Sequence, residues 1–123
     1  MPQTVTVGAP GPFVTTNQRH HWTARARMVK AWRTTAAWQA RADRLRPVDG
    51  PVHIEALICR GDSRRYDLDG HVPTLKACVD GLRDAGVLPE DSTEHVPTLT
   101  LRAGPKTDPG CLVITITPEG DTR

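Results

Sequence analysis

Val5 and Val7 alternate with threonines, which predicts a short, half-buried strand. Gly8, Pro10, Gly11 and Pro12 then stop it. From Trp22 to Leu45 neither glycine nor proline interrupts the chain, and its alanines and arginines favour helix. Val29, Trp32, Ala36 and Ala40 share one face at helical spacing, while Trp38 falls nearly opposite, either on a second contact or exposed. Trp22 and Trp32 are assigned to the core in preference to base stacking. Pro47, Asp49, Gly50 and Pro51 end the helix. Val52 to Cys59 becomes apolar on both alternations towards its end, as in a central strand covered on both sides.

Gly61, Asp62 and Ser63 form a loop that leads to Arg64 and Arg65. Pro73 suits the first turn of a second helix, with Val72, Leu75, Val79 and Leu82 as its buried stripe and Gly86 as its stop. Lys76, Asp80 and Arg83 stand along one edge of that stripe. Thr98 to Arg102 and Leu112 to Thr117 alternate cleanly across a Gly/Pro/Asp connection, the pattern of a hairpin. The sum is a βαβα unit followed by a hairpin. This predicts a single α+β domain over residues 1–123, with a mixed sheet packed on two main helices and flexible ends at 1–3 and 118–123.

A length of 123 residues suits one domain with a real core, built mostly from Val, Leu, Ile and Ala because aromatics make up only 4%. The three cysteines include no Cys-x-x-Cys pair, which argues against a disulfide framework or a structural zinc site. No apolar run approaches the ~20 residues of a membrane helix, and the start lacks a secretory pattern. A soluble, cytoplasmic protein with no membrane partner is expected.

The net charge of +2 hides a segregation. Between Asn17 and Arg46 eight basic residues (Arg19, Arg25, Arg27, Lys30, Arg33, Arg41, Arg44 and Arg46) face one acid, Asp43. Between Asp67 and Glu94 seven acids outnumber Lys76 and Arg83. A basic element suits the phosphates of a polyanion, whereas an acidic one without metal would repel them. Charge alone equally allows a solvated basic helix beside an unrelated acidic surface.

Asp67 and Asp69 lie two residues apart, Lys76 follows on the second helix, and Glu90 and Asp91 stand just past it. Such a cluster suits a magnesium ion with an ammonium beside it, the pairing that divalent-metal hydrolysis of phosphodiesters needs. Taken singly, each residue has a plainer place. Asp67 and Asp69 fit a polar turn, with Asp69 as a helix N-cap; Lys76 fits a surface lysine paired with Asp80; Asp91 fits a loop acid. Asp80 is assigned a structural role, and His21 either touches phosphate or starts the first helix.

Arg64-Arg65-x-Asp67-x-Asp69, the helix Leu75-Lys76-x-x-x-Asp80-x-Leu82, then Ala85-Gly86-Val87-Leu88 and the acids Glu90 and Asp91 together resemble the RusA family of Holliday junction resolvases. The opening Thr16-Asn17-Gln18-Arg19-His20-His21-Trp22 is similar to that family's first segment. The likeness spans about Asn17 to Thr117 and is dense from Arg64 to Asp91. It implies a small, homodimeric, magnesium-dependent endonuclease of bacteria or their phages. Position by position, Asp67, Asp69 and Asp91 match the metal-binding carboxylates and Lys76 the catalytic lysine. Gly70 stands where the family usually has Asn, and Glu90 where Asp is common.

The implied activity is resolution of four-way DNA junctions by paired symmetric nicks in recombination and repair. Mg²⁺, or Mn²⁺ in its place, is the cofactor, and no organic cofactor is implied. Arg19, Arg25, Arg27, Lys30 and Arg33, with Arg64 and Arg65, are expected to hold the DNA arms. Two matching nicks in a two-fold junction call for a C₂ dimer. The alternatives are a magnesium nuclease for other branched or flap DNA, and a junction-binding protein weakened in catalysis, for which Gly70 is the hint.

Overall fold

Three apolar strand patterns meet on one face of a mixed sheet, and two helices cover that face. The computed structural model describes residues 1–16, 18, 21–89 and 94–121. Among these, strands β1 (Gln3–Gly8), β2 (Val52–Cys59), β3 (Thr98–Ala103) and β4 (Cys111–Pro118) form a four-stranded sheet in the order β1-β4-β2-β3. Helix α1 (Trp22–Ala42) joins β1 to β2, and helix α2 (Val72–Asp84) joins β2 to β3. Val5 and Val7 of β1, Ile54, Ala56 and Ile58 of β2, and Leu112, Ile114 and Ile116 of β4 are all essentially buried. The register sets Val5 opposite Ile114, and Ile114 opposite Ala56. The helices add Trp32, Ala36, Ala40, Leu75, Val79 and Leu82 to the same core.

The expected hairpin does not form. β3 pairs in parallel with β2 at the sheet edge, while β4 inserts antiparallel between β1 and β2. β4 carries three inward apolar residues and needs cover on both flanks, whereas β3 is largely exposed and suits an edge. Alternation assigns faces to a strand but says nothing about its neighbours. The connection from 104 to 110 is long enough to pass over the end of β2, where Gly104 N–H donates to the Ile58 carbonyl and Thr107 N–H to that of Arg60.

β2 is central, as its pattern predicts, but helices cover only one of its faces. The opposite face is polar, with Thr4 against Thr115, His53 bonded to Thr100 at 2.7 Å and Arg102 to Glu55 at 3.3 Å. The apolar end of β2 reflects Cys59, which pairs in register with Cys111 beneath the 104–110 connection. Both thiols are free and buried.

The helices cross at small residues. Gly81 lies so close to α1 that a Cβ there would press on the Arg33 carbonyl and sit 2.9 Å from the Ala36 Cβ. Both helices end in a Schellman turn. In α2 the Val87 N–H reaches the Leu82 carbonyl and Gly86 takes φ +80°, the stop its glycine predicts. In α1 the Leu45 N–H reaches the Ala40 carbonyl, and Arg44 occupies the left-handed position at φ 55°.

One residue of the predicted α2 stripe and one tryptophan assigned to the core face outward. Val72 opens α2 and is exposed, while Leu75, Val79 and Leu82 are buried. Trp32 is fully buried and donates Nε1–H to the Pro12 carbonyl at 2.9 Å, but Trp22 is 74% exposed, so its core assignment is corrected. It sits in the first turn, at the end of α1 that overhangs the core. Trp38 is also exposed. No described helix is long and apolar enough to cross a membrane.

Candidate metal and phosphodiester site

The loop leaving β2 is organised by one buried imidazole. His71 closes a 3₁₀ turn over Asp69–His71 that runs directly into α2. Arg60, the first residue after β2, lies 2.8 Å from His71 Nε2. A guanidinium only donates, so Nε2 accepts, the ring proton sits on Nδ1, and Nδ1–H donates to the Asp67 carbonyl at 2.9 Å. Burial, reinforced by the Arg60 charge, holds His71 below its ordinary pKa, although the bond to Asp67 opposes this. The imidazole is therefore neutral, and it ties the Arg60 side chain to the Asp67 backbone.

Aromatic rings fill the space around this link. The Arg60 guanidinium lies 5.3 Å from the Phe13 ring centroid and 5.4 Å from that of Tyr66, within cation–π range. Tyr66 meets the His71 ring edge-on at 5.0 Å. Arg60 also donates to Asp62 at 3.2 Å. Burial opposes ionisation of that carboxyl, but the Arg60 and Arg64 contacts outweigh it and hold its pKa low. The segment before α1 locks the other side. Thr74, fully buried, exchanges two 2.8 Å bonds with the Val14 backbone, and Thr16 N–H donates to the Gly70 carbonyl.

The Asp67 and Asp69 backbones are thus fixed while their side chains remain exposed. Among the described residues, neither carboxylate takes part in a hydrogen bond or ion pair. The turn assigned to them is present, but neither Leu68 nor His71, the residues at the two cap positions, makes a side-chain cap, and Asp69 does not serve as one. Exposed, unengaged carboxylate oxygens are the donors a hard divalent cation takes while keeping several waters. The donor set fits Mg²⁺ in kind. Asp91, the third expected ligand, and its neighbour Glu90 lie outside the described residues. Among the described residues no group of three potential ligands comes together.

Asp67 borders a cleft of about 210 Å³ shared with Thr15, Arg60, Arg65, Tyr66 and His71. Lys76 lies one turn into α2, on a separate apolar groove with Val72, Val79 and Leu99. Its Nζ donates to Asp80 Oδ1 at 2.9 Å, the i,i+4 pairing its sequence position allows. The structure therefore brings Asp67 and Arg65 together, and Asp69 into the adjoining turn, with Lys76 further along the helix.

The basic residues divide by what engages them. Arg33 makes a bidentate bond to Asp84 at 2.6 and 2.8 Å, which clamps α1 to α2. That bond, chiefly, raises the arginine pKa and lowers the aspartate's. Arg25 donates to the Thr15 carbonyl at 2.8 Å. Arg27, Lys30, Arg64 and Arg65 extend into solvent. Arg19 lies outside the described residues. His21 starts the helix, its Nδ1 accepting from the Thr23 N–H at 3.2 Å.

Arg60 and His71 are the site residues that the sequence pattern does not single out. A usable signal is chemical: an arginine directly after a central apolar strand and a histidine entering an apolar helix stripe both need partners when buried. Their pairing across the loop has no periodic signature. No protein-family model matches the chain, and no curated protein matches it.

Proposed function

We propose that the protein is a magnesium-dependent endodeoxyribonuclease of the RusA type, which resolves four-way DNA junctions as a homodimer in bacterial or phage recombination and repair. One observation carries the reading: Asp67 and Asp69 project from a rigidly held turn with their carboxylates unengaged among the described residues, beside exposed Arg64 and Arg65. A turn this heavily braced that leaves two carboxylates open suits ligand binding better than fold stability. The motif order from Arg64 to Asp91 supplies the family.

Asp67 and Asp69, with Asp91, would hold Mg²⁺ or Mn²⁺. The bound ion supplies an acidified water and charge compensation at phosphate. Arg64 and Arg65 hold neighbouring phosphates, and Arg65 lines the Asp67 cleft. Lys76 places an ammonium where negative charge gathers in the transition state, with Asp80 steadying its side chain. Arg60 and His71 act by positioning the Asp67 backbone. Two such sites related by a C₂ axis match the two strands that symmetric resolution must nick. The test is Mg²⁺-dependent nicking of a four-way junction, lost on Asp67→Asn or Asp69→Asn.

A further inference from the structure

Helix α1 opens with a tryptophan that the fold does not use. Trp22 is 74% exposed, and the His21 ring lies beside it at a centroid distance of 5.6 Å. Trp22 forms one end of a groove of about 650 Å³ whose floor is Ala26 and Val29. Arg25 and Lys30 rim this floor, and the Arg33–Asp84 pair closes the far end. Three cations and one acid leave the lining with a net positive charge, and the single carboxylate is already matched by Arg33. Arg25 is bonded to the carbonyl of Thr15, and Thr15 also borders the Asp67 cleft. Groove and cleft are therefore linked through the Arg25–Thr15 hydrogen bond.

We propose that Trp22 is a stacking platform for an unpaired base of a DNA strand whose phosphates are held by Arg25 and Lys30. An exposed indole offers a flat apolar face, and cations beside it match a polyanion, the two parts of a single-strand binding surface. A paired base inside a duplex keeps both faces within the helical stack, whereas an unpaired one offers a face to the indole. A neutral apolar partner would leave the two cations at the rim unmatched. The proposal takes its choice of DNA from the nuclease reading, but stacking needs neither metal nor cleavage.

The test uses the full chain with Trp38→Phe, so that Trp22 is its one exposed tryptophan beside the buried Trp32. A short oligothymidylate and an abasic strand of equal length are titrated without divalent metal. The thymidylate should quench Trp22 fluorescence, and the abasic strand, with the same phosphates, should bind more weakly and quench little. Trp22→Ala should weaken thymidylate binding about 5- to 150-fold, the range of one base–aromatic stack, and Trp22→Phe should retain most of the affinity. Equal affinity in Trp22→Ala, or equal quenching by the abasic strand, would overturn the proposal. So would Trp22→Ala dissolving a dimer with thymidylate affinity intact, which would make the groove a contact between copies. A protein without nuclease activity can still pass this test, and an active nuclease can fail it.

Discussion

Arg60 Nη1 and His71 Nε2 meet at 2.8 Å, a donor against an acceptor, with no place for a second proton on the imidazole. Protonating His71 would set two donors face to face, with the half-buried Arg60 guanidinium against a second positive charge. The same ring holds the Asp67 carbonyl, so the charge state of one histidine governs how firmly the carboxylate turn is held.

Acid should therefore loosen the fold. The folded His71 pKa lies below its ordinary 6.5, so below that pH the unfolded chain binds a proton that the folded chain resists. The stabilisation is complete above 6.5 and is lost as pH falls toward the depressed folded value. Denaturant unfolding should show stability declining as pH falls below about 6.5. His71→Gln, whose side-chain amide can still accept from Arg60, should flatten that decline. An identical decline in the variant would place the titration elsewhere.

The helix crossing offers a test of packing. Gly81→Ala should cost about 1–3 kcal/mol, because the added methyl meets the α1 backbone and not a side chain that can turn away. Gly11→Ala, with open space around its position, should change stability little. Thermal unfolding of both variants checks this, and equal melting temperatures would contradict the close approach.

Elements were legible where one periodicity decided them. Val5 and Val7 place β1, Leu75, Val79 and Leu82 give the inner face of α2, and Gly86 marks its end, because each is a local property of pitch or backbone conformation. The pairing of β3 with β2, and not with β4, depends on competition between strands for a central place. Trp22 shows a second limit: its position on the helix is readable, but the point where α1 overruns the core is tertiary. At the site, Asp67 and Asp69 announce themselves as paired carboxylates. The Arg60–His71 link joins residues eleven apart through an irregular loop, which no pattern encodes.

Salt dependence should sort the basic residues of α1. Replacing both Arg27 and Lys30 by Ala should lower the slope of log K against log salt by roughly 0.9 for each phosphate that the two side chains neutralise. Arg33→Ala should leave that slope unchanged, since its guanidinium is engaged by Asp84, and should instead weaken the α1–α2 clamp. Binding isotherms over a salt series decide it, and a lower slope for Arg33→Ala would reverse the assignment.

Lys76→Ala should reduce the single-turnover cleavage rate by more than about 10²-fold while junction affinity changes little. Asp80→Ala should have a much smaller effect, because it removes the steadying partner and leaves the ammonium. If both variants cut at the wild-type rate, Lys76 serves only its helix pair.

The most direct test is cleavage of a four-way junction and of a matched linear duplex, each with and without Mg²⁺, by the wild type and by Asp69→Asn. The wild type should be dimeric and should make paired, symmetric nicks in the junction only with the metal. It should cut the duplex far more slowly, and Ca²⁺ should support binding with little cleavage. Asp69→Asn should bind the junction as well as the wild type and cut it negligibly. Cleavage by Asp69→Asn within about tenfold of the wild type, roughly 1.4 kcal/mol of barrier, would contradict the site. A wild type that binds the junction yet cuts nothing in Mg²⁺ or Mn²⁺ would contradict the nuclease itself.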